Sequence, residues 1–194
     1  MPRITAPTVV QHRAERHRAL LDAAQALLAQ DPGQAPSLAA VAARAGLARS
    51  SVYEYFRSQH DLLVALVREV LPRWSRRVAE AMAAAGTPGE KVLAYVGANL
   101  QLVSEGEHAV ATALAQHVPG EELHSSSHEM HEGMRAPLIA ALTALELPDP
   151  AATAGLVSAV VYHAARMIEE GADPAATEQR VRELLAPFLL AAPS

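Results

Sequence analysis

Residues 37–56 read Ser-Leu-Ala-Ala-Val-Ala-Ala-Arg-Ala-Gly-Leu-Ala-Arg-Ser-Ser-Val-Tyr-Glu-Tyr-Phe, two short segments of helical apolar period joined through a single glycine. No other stretch restricts the fold as tightly. Ser37, after Pro36, is placed to cap the first segment, in which Leu38, Val41, Ala42 and Ala45 recur at helical spacing. Gly46 can take the left-handed conformation that ends this helix and lets the next begin within about three residues. In the second segment Val52, Tyr55 and Phe56 share one side, while Ser50, Ser51, Tyr53 and Glu54 fall largely on the other. One face anchors and the other is free to make contacts, the division that a helix-turn-helix requires.

The rest of the composition fits a helical protein. Apolar residues make up 51 % of the 194 positions, with Ala and Leu foremost and only 4 % aromatic, which favours helix packing over sheet. An all-α chain of this length suits a small domain with a larger one behind it. Cysteine is absent, which excludes disulfides, thiolate redox sensing and cysteine-based zinc sites. The first residues contain no apolar core followed by a cleavage site, and no run of about 18 uncharged apolar residues occurs, so no membrane association and a cytoplasmic location are expected.

The net charge of −5 conceals a division. Residues 1–77 hold 11 Arg and no Lys against six acids, a balance of +5, whereas residues 78–194 hold five Lys plus Arg against 15 acids, a balance of −10. The basic end is the end with the helix-turn-helix, as a nucleic-acid reader of acidic overall charge requires. Residues 1–12, with two prolines and no periodicity, read as a basic arm leading into Arg13, Arg16, His17 and Arg18. Residues 13–30 form an amphipathic first helix through Leu20, Leu21, Ala24, Leu27 and Leu28, stopped by Asp31-Pro32-Gly33.

Ser58 with Asp61 is an acidic variant of the capping box and opens a long fourth helix to about residue 85, interrupted by Pro72, with Trp74 packed at the seam between domains. Further helices are expected over residues 90–104, 107–117, 122–145, 151–170 and 174–190. The helix over 151–170 is apolar almost all round, and Gly155 and Ala159 let another helix approach closely, which suits an interface with a second copy of the chain.

The "Val-Ala-Ala-Arg-Ala-Gly" core at 41–46, the "Val-Tyr-x-Tyr-Phe" run at 52–56 and the "Ser-x-x-Asp-Leu-Leu" opening at 58–63 stand in register, and over roughly residues 13–70 the chain resembles the DNA-binding domain of the tetracycline-repressor (TetR) family. The resemblance implies a three-helix DNA-binding domain with its basic arm at residues 1–57, joined by a long helix to a ligand-binding and dimerisation bundle at 58–194. It implies a homodimeric transcriptional repressor on a palindromic double-stranded operator, released by a small-molecule effector. Arg13, Arg16, Ser37, Arg49, Ser50, Ser51, Tyr53, Glu54, Tyr55 and Arg57 are then the candidate DNA contacts, with dimerisation through the last two helices. Two departures bear on the operator: Gln59 stands where the family commonly has a phosphate-binding lysine, and Glu54 puts an acid in the reading helix.

Two effector chemistries are open. An organic ligand would occupy an apolar cavity lined by Leu100, Val103, Leu114, Met130, Met134, Leu138, His163 and Met167, where methionines adapt to ligand shape and a histidine orients a polar group. A divalent metal would use His124, His128 and His131, whose i, i+4, i+7 spacing aligns three imidazoles along one helix face. No enzyme is expected and no cofactor: Ser125–Ser127 beside His124 lack any nucleophile-elbow signature, and neither a phosphate-cradling glycine loop nor a dinucleotide fingerprint occurs.

Overall fold

The computed structural model describes the backbone of residues 6–118 and 120–190 and the side chains of residues 11–118 and 131–190. Among the described residues the chain is all-α: α1 (Ala6–Gln30), α2 (Leu38–Arg44), α3 (Arg49–Val52), α4 (Gln59–Ala84), α5 (Pro88–Ser104), α6 (Glu107–His117), α7 (Gly120–Thr143), α8 (Pro150–Glu169) and α9 (Pro174–Leu189). It divides into two compact units, one of residues 1–69 with 109–123, the other of residues 70–108 with 124–194. The dividing point falls inside α4, between Glu69 and Val70.

In the first unit, α1 packs on α2 and α2 on α3. Leu20, Ala24 and Leu28 of α1, Val41 and Ala42 of α2, Val52 and Phe56 around α3, and Leu62 and Leu66 of α4 are all buried. Each large aliphatic side chain taken out of water here contributes roughly 1.5–3 kcal/mol. Ser37 caps α2, its Oγ accepting from the Ala40 N–H at 3.2 Å. Gly46 ends the helix at φ 69°, with the Leu47 N–H donating to the Ala42 carbonyl and the Gly46 N–H to that of Ala43. This is the paired closure of a Schellman motif, which needs the left-handed residue that glycine supplies at no steric cost.

Two boundaries differ from the sequence expectation. α1 begins at Ala6, so residues 6–12 are helical although they show no apolar period. α3 covers only four residues: after Val52 the chain tightens into i→i+3 turns, the Glu54 N–H donating to Ser51 and that of Tyr55 to Val52. Serines compete for the backbone in a helix, and the tighter path lets both Tyr55 and Phe56 reach His17 of α1. The start of α4 is fixed reciprocally, Ser58 Oγ accepting from the Asp61 N–H and Asp61 Oδ2 from the Arg57 N–H, each at 3.1 Å.

The second unit is built around α5, which packs on both α8 and α9. Its helices open with strong signals: Thr87 and Glu90 form a full capping box, and Asp149 and Asp173 each accept from the backbone N–H three residues on, always with proline at the next position. The core gathers Val78, Val92, Val96, Leu100, Leu138 and Leu142 with Trp74. Trp74 donates its indole N–H to Asn99 Oδ1 at 2.9 Å, and Asn99 returns its amide to the Tyr95 carbonyl at 2.8 Å, so the buried polar groups are mutually satisfied. At Gly89 a Cβ would stand 2.1 Å from the Leu189 carbonyl oxygen: α5 and the end of α9 meet backbone to backbone. Proline lies inside three helices, Pro72 in α4, Pro137 in α7 and Pro187 in α9, and removes one helical donor in each.

Candidate functional site

The first unit carries a surface whose side chains are free to meet a ligand. Arg49, at the first position of α3, is exposed, as are Ser50, Glu54 and Arg57; Tyr53 is 50 % exposed and Ser51 is half-buried. Arg49 opens α3 and Tyr53 caps its end, four positions apart on the exposed side of one short segment, so both side chains are available to base edges or phosphates. Ser37 is exposed, with its Oγ engaged in the cap of α2.

Tyr55 differs from the other candidates. It is half-buried against α1, its ring centre 6.2 Å from that of His17, with the Arg13 guanidinium 5.9 Å from its centroid. The His17 ring is also 5.3 Å from that of Phe56. Tyr55 and Phe56 thus tie the reading segment to α1, while Arg13 sits over an aromatic face with its charge still exposed. Arg16 is exposed on the same helix. An open groove of about 450 Å³ runs along this seam and carries both signs of charge, Arg13, His17 and Arg18 against Asp22, Glu54 and Glu69.

Gln59, the departure noted in the sequence, has a structural task. Its amide donates to the carbonyls of Ala35 and Pro36 at 2.8 and 3.1 Å, which fixes the start of α4 to the start of α2. A lysine here would put a charged, flexible donor in place of this neutral planar amide and could extend that charge to phosphate. His17 and Gln59 are among the residues of this unit whose roles depend on partners distant in sequence.

The second unit contains the candidate sensing residues. Leu100, Val103, Met134 and Leu138 are buried in its core, and Met167 is half-buried on α8. Leu114 is buried but belongs to the first unit, and His163 is exposed on α8 rather than turned into an interior. The side chains of Met130, His124 and His128 lie outside the described residues; His131 is exposed on α7. Among the described residues no group of three His, Asp or Glu could hold a metal ion.

Two ion pairs fasten α4 to the α5–α6 turn, Arg73 to Glu107 at 2.8 and 2.9 Å and Arg77 to Glu105 at 2.5 and 3.0 Å. The hydrogen bond from Arg77 holds the Glu105 carboxyl below its ordinary range, and the same bond holds the arginine above its own. A separate open cleft of about 320 Å³ lies where α4, the start of α5 and the second half of α7 come together.

Comparison with known proteins agrees with this architecture. Residues 20–66 match the family model described as "Bacterial regulatory proteins, tetR family". The chain is 24 % identical to the fatty acid metabolism regulator protein of Bacillus subtilis over 64 % of either chain. It is 44 % identical to the HTH-type transcriptional repressor LfrR of Mycolicibacterium smegmatis over 34 % of this chain and 35 % of that one. The chain thus spans less than two thirds of the length of these curated relatives. The crystal structure of the transcriptional regulator FadR from Bacillus subtilis, in complex with stearoyl-CoA, shares the fold at a TM-score of 0.67 and 24 % identity, covering 87 % of this chain and 97 % of that one. Residues 20–66 are thus similar to the DNA-binding domain of the tetR family of bacterial regulatory proteins, and the all-helical body behind them shares the fold of a solved transcriptional regulator.

Proposed function

We propose that the chain is a transcriptional repressor that binds a palindromic operator as a homodimer and releases it when a small molecule occupies the second unit. The observation that carries this reading is the exposed row Arg49, Ser50 and Tyr53 on a helix whose other face is locked to α1 and α2. Arg49 reaches guanine O6 and N7 or a phosphate; Arg13, Arg16 and Arg57 serve the backbone. The repressor LfrR, 44 % identical over 34 % of this chain, supports the sense of regulation.

Dimerisation is supported by α8 and α9. Leu156, Tyr162, Leu184 and Phe188 are all more than half exposed. An 18-residue window of α8 has mean hydropathy 1.3, yet only 28 % of it is buried within one chain. A second copy packed on this face would cover both helices and bring two reading heads to half-sites about one helical turn of DNA apart. α4 links reading and sensing by continuous backbone, and Pro72 is the natural point for it to bend.

The effector is an apolar or acyl-bearing molecule, as the stearoyl-CoA held by the similar regulator from Bacillus subtilis supports. The test is a gel shift of the full chain on its own upstream intergenic DNA, with mass measured in solution. A saturable, salt-sensitive shift on a palindromic fragment by a dimer is expected; a monomer, or no fragment bound above background, overturns the reading.

A further inference from the structure

The chain has 15 arginines and one lysine, Lys91. That lysine lines the 320 Å³ cleft of the second unit, whose other walls are two alanines of α4, two of α7 and Ala144 just beyond it, with Met82, Pro88 and Pro137. Lys91 is half-buried, and its ammonium has no ion-pair or hydrogen-bond partner among the described residues. The acid beside it in sequence, Glu90, is turned away to accept from the Thr87 N–H at 2.8 Å in the cap of α5. Lys91 thus lays its apolar stem along an open, largely apolar cleft and presents a cation that no described side chain neutralises.

The walls also limit what could meet it. Alanine, methionine and proline side chains offer no strong donor or acceptor, so a ligand has one polar contact available and must be hydrocarbon elsewhere. One ammonium matches one negative charge; a phosphate monoester would bring a second with nothing to balance it. Small alanine side chains on both flanking segments leave an open cleft of about 320 Å³, room for a medium-length hydrocarbon chain.

We infer that this cleft binds an aliphatic monocarboxylate, an unbranched fatty-acid anion whose carboxylate pairs with Lys91 and whose chain lies between α4 and α7. Binding here pushes on the second half of α4, and its consequence for DNA rests on the repressor reading above.

The sole lysine makes the test direct. Reductive methylation of the full chain labels only the terminal amine and Lys91, so decanoate should slow labelling of Lys91 at least fivefold and leave the terminal amine as reference, while decanol, lacking the charge, should not. Affinity should rise about fourfold per methylene from hexanoate to decanoate. Lys91→Met should weaken decanoate at least tenfold without changing decanol, and Lys91→Arg should retain binding. Decanoyl-CoA, whose thioester is uncharged, should bind more weakly than decanoate. Equal protection by decanol, unchanged decanoate affinity in Lys91→Met, or tighter binding of the thioester overturns the assignment. DNA binding without ligand is scored in the same samples: its failure strikes the repressor reading and leaves the protection result standing, whereas intact DNA binding with no protection strikes the cleft alone. Decanoate bound through Lys91 with the DNA complex unmoved keeps the site and overturns its coupling to α4.

Discussion

The two units of this molecule are held together by different kinds of information. In the unit proposed to read DNA many determining contacts are local: the Ser37 cap, the Gly46 closure and the Ser58–Asp61 exchange each join residues no more than five positions apart. The sensing unit depends on contacts between distant segments, Trp74 with Asn99, Arg77 with Glu105, and Gly89 with Leu189. Short-range determinants leave one face of the first unit, with Arg49, Ser50 and Tyr53, clear of packing. Long-range determinants give the second a core that a change at one point can disturb at another.

The contrast predicts that substitutions in the two units separate stability from DNA affinity. The largest effect is expected at Gly89→Ala, where the new Cβ meets backbone that cannot rotate away; a loss of about 3 kcal/mol or more in thermal or chemical unfolding is expected. Gly133→Ala is the control, since its Cβ would meet only Ser75 at 3.5 Å, and it should be neutral or stabilising by up to about 1 kcal/mol. If the two alanines behave alike, the second unit is not held by that contact.

Next in size is Arg49→Ala, exposed on α3, which should leave unfolding unchanged and weaken operator binding by about 1–3 kcal/mol. Loss at one base position marks direct readout, and uniform loss across sequences marks a phosphate contact. A fall in stability would instead mean that the reading face is also a packing face, and the contrast between the units would fail.

The smallest effect is expected at Glu105. Its carboxyl is held below the ordinary value by Arg77, so the pair contributes stability above pH about 4.5 and loses it as pH falls through the folded value. Both side chains are more than a third exposed, which limits the contribution to under about 1 kcal/mol. Glu105→Gln should therefore flatten the acid limb of the stability profile slightly and change little at neutral pH.

Much of the fold was legible because its punctuation is chemical. Thr87-Pro88, Asp149-Pro150 and Asp173-Pro174 announce helix starts, and Gly46 and Gly171 take the positive φ that ends them, so α5 to α9 fall within two residues of their expected limits. The start of α1 carried no such mark. The shortening of α3 was hidden because Tyr55 is drawn inward by His17, a partner 38 positions earlier in the sequence. Candidate sensing residues were the least legible, since an apolar residue at helical spacing looks the same whether it fills a core, as Leu138 does, or lines a space. The exposure of His163 and the cleft at Lys91 depend on which helices meet, and no period in the sequence records that.

Trp74 is the single tryptophan of the chain, and it lies in the core of the second unit with its indole bound to Asn99 and its ring edge-on to His108 at 6.1 Å. The molecule therefore carries one indole, which can be excited apart from its four tyrosines, placed in the unit proposed to sense and absent from the unit proposed to read. Its emission follows the unfolding or rearrangement of the bundle alone, while circular dichroism weighs both units by their helix. Where the two signals part on heating, the reading head and the bundle melt separately; where they coincide, the chain loses both together.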